Sequence, residues 1–253
     1  MEASQALQSL FRWIHIIAGI AWIGHLYFFN FVNGPFAATL DADSRKKVVP
    51  QLMPRALYWF RWGAAWTWIT GVLLVLLVFY HGGITFDRGG WNAAAIIMVL
   101  VTFLAFAVYD PLANSGLGKN LQTLAAIGLA LVIVIVLAYI HWAGFSYRAY
   151  VIHTGALFGT IMAANVWMRI WPLQKKIITA VRDGAAPDPA WAAVAGARSR
   201  HNTYLSVPLI WMMINAHTAV PFASSPIWLF VVIVVGWAAV YWLYSKAAQV
   251  KGF

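Results

Sequence analysis

Residues 124–140 read LAAIGLALVIVIVLAYI, seventeen positions without a single charged side chain. A helix rises about 1.5 Å per residue, so a run of this kind reaches most of the way across a hydrocarbon core about 30 Å thick. ITGVLLVLLVFY (69–80) has the same character. The whole chain follows suit: 253 residues, 62% hydrophobic, 9% charged, mean hydropathy +0.74. Soluble domains carry roughly 25% charged residues, which excludes that class here. The sequence predicts an all-α, polytopic transmembrane helical bundle, multi-pass and forming one domain over 1–253.

Seven spans are predicted, near 9–32, 58–80, 92–112, 120–142, 148–171, 202–220 and 226–245, with long loops at 33–57 and 172–201. Fourteen Lys and Arg residues fall at one set of span ends, from Arg45, Lys46 and Lys47 to Lys246 and Lys251. Only Arg12, Arg88 and Arg148 fall at the other. The positive-inside rule then places the N-terminus outside and the C-terminus in the cytoplasm. Trp13, Tyr58, Trp59, Trp142, Tyr147, Trp171 and Tyr204 sit at span ends, as interfacial anchors do. The net charge of +10 is accounted for by these flanks. It therefore argues for contact with membrane lipids and against nucleic acid. The first residues, MEASQALQSL, lack the basic start of a cleaved signal peptide.

With no cysteine in the chain, disulfides, thiolate ligands, iron–sulfur clusters and covalently attached c-type haem are excluded. Seven histidines remain as candidate metal ligands. Counted in helical rise, His15, His153 and His217 lie a few residues below the outer ends of the first, fifth and sixth spans, and His25 lies deeper. Ionisable groups in the hydrocarbon region usually face the protein interior and serve a cofactor or a pathway. Imidazoles at equal depth on different helices suit the axial ligands of one or two b haems, with iron held by His15, His153, His217 and His25. Arg12 and Arg148 at the outer rim suit propionates or an anion. Gly19, Gly24, Gly155 and Gly159 are predicted to let the flat apolar face of a haem approach closely. Zinc or copper is less well served, because neither Cys nor buried carboxylates accompany these histidines. His81 and His141 read as interfacial residues at helix ends. Asp110 reads as a helix terminus beside Pro111, and HNTYLSVP (201–208) as the start of a helix.

Four blocks carry a resemblance: RWIHIIAGIAWIG (12–24), MPRALYWFRWGAAWTWITG (53–71), GALFGTIMAANVWMRIWP (155–172) and RSRHNTYLSVPLIWMMINAH (198–217). They resemble the membrane-embedded domain of the bacterial membrane-bound urate oxidase (urate hydroxylase) family. That likeness implies an inner-membrane oxidoreductase whose fused cytochrome c domain takes the electrons. This sequence runs to KAAQVKGF (246–253) without such a domain. Its electrons are then expected to pass to a separate cytochrome c, a quinone or a partner subunit of a respiratory complex. The arrangement of His15, Trp22 and Gly24 is also similar to that of other small haem b membrane proteins. If a purine is the substrate, Arg148 with Asn165 or Asn215 are the candidate contacts. The alternative reading is a non-redox membrane protein, either a purine or organic-anion transporter or a structural subunit.

Overall fold

The structure, a computed structural model, describes residues 2–217 and 225–250. Nine α-helices are present among them: α1 (Glu2–Tyr27), α2 (Gly34–Thr39), α3 (Ala42–Leu74), α4 (Ala93–Asn114), α5 (Leu121–His141), α6 (Tyr147–Ala164), α7 (Trp171–Arg182), α8 (Pro189–Asn215) and α9 (Pro226–Ala247). Three π-helical segments, Phe28–Asn33, Val75–His81 and Asn165–Ile170, continue α1, α3 and α6 without a break. The described residues form no strand, only an isolated bridge between Phe86 and Phe145.

Six stretches are long and apolar enough to cross a membrane: Ala3–Thr39, Ala42–His81, Ala93–Asn114, Leu121–His141, Tyr147–Arg182 and Pro226–Ala247. The chain is a multi-pass membrane protein. The sixth predicted span, 202–220, belongs to α8, which is 27 residues long but carries Arg198, Arg200 and His201 in its middle. Residues 201–208 are therefore the centre of a helix and not its start, a correction with a local cause. The segment PAWAAVAGA (189–197) is rich in alanine, the best helix former, and carries the helix backward past the charges. The predicted loops shrink for the same reason. Much of 33–57 is α2 and the first turns of α3, and most of 172–201 is α7 and the start of α8. Residues 218–220 of the predicted sixth span lie outside the described residues.

Helix starts are made by short polar side chains. Asn92 accepts from the Ala95 N–H at 2.9 Å, and Asn120 from the N–H groups of Gln122 and Thr123 at 2.8 and 3.1 Å. Asp41 does the same ahead of α3, taking the Ser44 N–H at 2.8 Å and its hydroxyl at 2.9 Å. The Ser44 backbone bond, followed by its hydroxyl, holds the Asp41 carboxyl below the usual carboxylate range.

The chain divides into two compact units, Met1–Gln8 with Val72–Ile161 and Val207–Gly236, and Ser9–Gly71 with Met162–Ser206 and Trp237–Phe253. In the first, the Thr102 hydroxyl of α4 bonds the Tyr139 hydroxyl of α5. The loop after the Val75–His81 segment is tied to the start of α6 by Ser146 N–H to Thr85 O and Ser146 Oγ to Ile84 O, at 2.8 and 2.9 Å. Gly155 gives α8 room: a Cβ there would lie 2.8 Å from Met213 Cε.

In the second unit, Trp22, Leu26, Leu57, Phe60, Ala64, Val166 and Ile170 form the apolar core. Gly63 is the close approach of α3 to α1, since a Cβ would lie 3.0 Å from the Trp22 nitrogen and 3.1 Å from the Ala18 carbonyl oxygen. Of the four glycines expected to leave room for a flat cofactor face, Gly155 is packed against α8. A Cβ on Gly24 or Gly159 would meet nothing within 4 Å, and one on Gly19 would make ordinary contact with Thr67.

Candidate functional site

Two places collect polar groups inside these apolar helices, one in each unit. The second unit holds a cavity of about 550 Å³. Its apolar wall comes from Phe29, Leu57, Phe60 and Ile170, with Phe29 and Phe60 edge to face at 5.3 Å. Ala192, Ala193, Ala195, Gly196 and Ala197 of α8 add small side chains to the lining. Asn30, Asn33, Gln174, Ser199, Arg200 and Tyr244 supply its polar lining.

Asn30 is the joint of this wall. Its amide N–H groups donate to the Leu26 carbonyl and to Ser199 Oγ, both at 2.8 Å, and its Oδ1 accepts from the Tyr244 hydroxyl at 2.8 Å. One residue of the π segment after α1 thus links α8 and α9. That leaves Asn33, Gln174 and Arg200 with polar atoms for a ligand; Asn33 makes one long bond to Met53 Sδ at 3.6 Å. Arg200 lies over the Tyr244 ring at 5.6 Å. No carboxylate is among the lining residues, so the cavity favours a negatively charged guest.

Behind the wall, α8 carries a buried polar ladder. Thr203 donates to the Ser199 carbonyl and Ser206 to the Thr203 carbonyl, and Ser206 shares a 3.0 Å bond with the Tyr27 hydroxyl. Asn165 donates to Asn202 Oδ1 at 2.8 Å, and Asn202 to the Met162 carbonyl at 2.9 Å. Buried amides in apolar surroundings need such partners, and these bonds dock α8 on the α6 segment. Arg198, 2% exposed, belongs to the same stretch.

The first unit holds His153, 0% exposed. Its Nδ1 lies 2.7 Å from the Ala149 carbonyl oxygen, which can only accept, so Nδ1 carries the proton. Nε2 is then an acceptor, and the Tyr80 hydroxyl donates to it at 2.8 Å. The rings of Phe79, Tyr80, Tyr139 and Phe145 enclose the imidazole at centroid distances of 4.7 to 6.5 Å.

The remaining predicted residues are placed as follows. His15 faces α3, with Nδ1 3.2 Å from Thr70 Oγ1; Gly71 makes room, since a Cβ there would lie 3.1 Å from His15 Cε1. His25 is bonded to its own helix through the Ala21 carbonyl at 2.7 Å and leans on Phe29. His217 is exposed in the turn that closes α8. Arg12 is exposed, and Arg148 donates from Nε to the Ala216 carbonyl at 2.8 Å. His15, His25 and Arg12 belong to one unit, and His153, His217 and Arg148 to the other.

Among the described residues no group of three or more His, Cys, Asp or Glu side chains is placed to hold a metal ion. Haem asks for only one or two imidazoles, so each histidine is judged singly. His153 suits an axial ligand best in one respect: a backbone carbonyl fixes its tautomer and leaves Nε2 the unprotonated nitrogen, facing Tyr80 inside the four rings. Tyr80 holds that nitrogen in the present arrangement.

Residues that sequence reasoning missed are Tyr80, Asn30, Asn33, Gln174, Arg200 and Tyr244. FFNFVNG (28–34) did offer a signal: two amides three residues apart in an apolar run share one helix face.

The family described as urate oxidase N-terminal matches over residues 40–251, and so covers the cavity except for the residues that precede α3. No curated protein and no solved structure matches the chain.

Proposed function

The chain belongs to the urate oxidase N-terminal family, and from that premise we propose that it is an inner-membrane oxidoreductase of the urate-oxidase type in a bacterium. The observation that carries this reading is the cavity of the second unit. Urate is a flat anion edged with N–H donors and carbonyl acceptors. Arg200 supplies the opposite charge, and the amides of Asn33 and Gln174 supply both donors and acceptors at fixed positions. The rings of Phe29 and Phe60 and the Ala-rich lining suit a planar body. This set replaces Arg148, Asn165 and Asn215 as the proposed purine contacts. Arg148 and Asn165 are engaged with Ala216 and Asn202, and Asn215 donates to the Trp211 carbonyl at 3.1 Å.

Oxidation of the bound anion releases electrons, which leave for a separate cytochrome c, a quinone or a partner subunit. Haem b, when bound, supplies a one-electron relay. His153 would hold it through Nε2, with Tyr80 giving up its hydrogen bond; His15, His25 and His217 are the other candidate ligands, and Arg12 and Arg148 the candidate propionate contacts. The chain's own residues keep His153 dry, through four rings, and fix its tautomer through Ala149. We further propose that the N-terminus is outside and the C-terminus cytoplasmic, supported by fourteen basic residues against three at alternate span ends.

The test combines a spectrum with binding. Purified protein is expected to show a b-type band in the reduced-minus-oxidised spectrum and to bind urate, with Arg200→Gln weakening binding by about tenfold or more. Unchanged urate affinity in Arg200→Gln rejects the cavity as the purine site. Protein that is colourless despite an adequate haem supply rejects the relay. Urate binding without any urate-dependent reduction of an added acceptor favours an organic-anion transporter.

A further inference from the structure

Arg61 of α3 is a half-buried guanidinium in a membrane protein, and among the described residues it forms no ion pair with a carboxylate. Its Nε is buried and has no hydrogen-bond partner among the described residues. Instead the group lies over three rings: Trp171 at 3.9 Å, Tyr58 at 5.7 Å and Trp167 at 6.0 Å. Ring faces offset part of the charge, but they leave the N–H edge of the guanidinium plane without an acceptor.

Arg61 is the last charge before residues 62–80, which contain none, and Arg169 is the first after residues 149–168, which contain no Lys, Arg, Asp or Glu. Two helical segments therefore end their apolar stretches at this point, and the structure joins them. Trp167 Nε1 donates to the Arg61 carbonyl at 3.1 Å, and Trp62 meets Trp167 edge to face at 5.5 Å. From there Trp62, Trp66 and Ile69, spaced i, i+4, i+7, form an exposed apolar stripe at 40, 51 and 41%. The stripe leads away from the charged end into the uncharged run.

We propose that this is a specific site for an anionic glycerophospholipid. The phosphodiester sits on the free edge of Arg61, and one acyl chain lies along Trp62, Trp66 and Ile69. A planar guanidinium held by stacking presents two parallel donors to a phosphate, which a flexible ammonium cannot do. The aromatic platform fixes the headgroup at the polar–apolar boundary, where Trp and Tyr rings are at home. The occupant is a lipid and not a soluble anion because the apolar track begins at the charged group itself. This inference is independent of the urate reading.

The experiment is native mass spectrometry of the detergent-purified full chain titrated with phosphatidylglycerol or phosphatidylcholine of matched acyl chains. The wild type is expected to take up one phosphatidylglycerol about fivefold more tightly than phosphatidylcholine. Arg61→Gln is expected to level the two, and Arg61→Lys to retain a weakened preference. Arg55→Gln, which alters an exposed cation in an earlier turn of the same helix, is expected to keep the full preference. A wild type without preference, an Arg61→Gln protein that keeps it, or an Arg55→Gln protein that loses it as fully would each overturn the site. If Arg61→Gln cannot be purified, Arg61→Lys against Arg55→Gln decides, with equal preferences in the two counting against it.

Discussion

Replacing Tyr80 with Phe removes one oxygen and leaves the ring in place, so it isolates a single hydrogen bond. The hydroxyl donates to Nε2 of His153 at 2.8 Å, and the imidazole is 0% exposed. Nδ1 is committed to Ala149, so the tautomer cannot switch to rescue Nε2. Of the other enclosing rings, Phe79 and Phe145 carry no donor, and the Tyr139 hydroxyl is bonded to Thr102. The cost is then that of an unmet buried acceptor, about 1–3 kcal/mol, with no cavity term because ring volume is kept. Removing both partners in Tyr80→Phe, His153→Leu takes the unmet atom away, so the double variant should lose less than the sum of the singles. A coupling of about 0.5–3 kcal/mol is expected. The assay is unfolding in mixed micelles followed by tryptophan fluorescence, on all four proteins in one detergent. If Tyr80→Phe loses less than about 0.5 kcal/mol and the cycle shows no coupling, Nε2 has another partner, and the Tyr80–His153 hydrogen bond is refuted.

Two further outcomes are expected. Gly63→Val should destabilise the protein by about 1–3 kcal/mol in the same unfolding assay, because the new side chain meets the α1 backbone at Ala18 and Trp22, which has no rotamer to yield; Gly24→Val, which meets nothing within 4 Å, should be close to neutral, and equal losses at both sites would refute the close approach. A reporter fused after residue 250 should register as cytoplasmic in a bacterial host, and a periplasmic signal would overturn the orientation.

How much of the fold was legible follows from which force shapes each part. α4, α5 and α9 match the predicted spans within about two residues, because lipid demands an unbroken apolar run and the sequence displays it. Helix outside the bilayer escapes that reading. The first turns of α3 contain Arg45, Lys46 and Lys47 and are held by backbone bonds and an Asp41 cap, neither of which leaves an apolar trace. Of the candidate site, the burial of His153 was legible and its contacts were not. His153 is buried, as an intramembrane imidazole should be, yet its partner Tyr80 is 73 residues away and nothing local links the two. The polar cavity was hidden for a related reason: Asn30 and Arg200 are on segments that hydropathy scores as one apolar and one charged, and only the fold brings both to one wall.

The π segments have a consequence for descent. Each continues an α-helix with wider turns, and such a turn holds about one residue more than the α turn it replaces. A single-codon deletion within Phe28–Asn33, Val75–His81 or Asn165–Ile170 would let the turn close to α geometry while the rest of the helix keeps its place. Relatives of this chain should therefore differ in length by single residues at these three points far more often than elsewhere inside their spans. Where they do, the side chains whose bearing on their neighbours would be reset are Asn30 at the cavity wall, Tyr80 against His153 and Asn165 against Asn202, so the variation in the family would fall on these contacts.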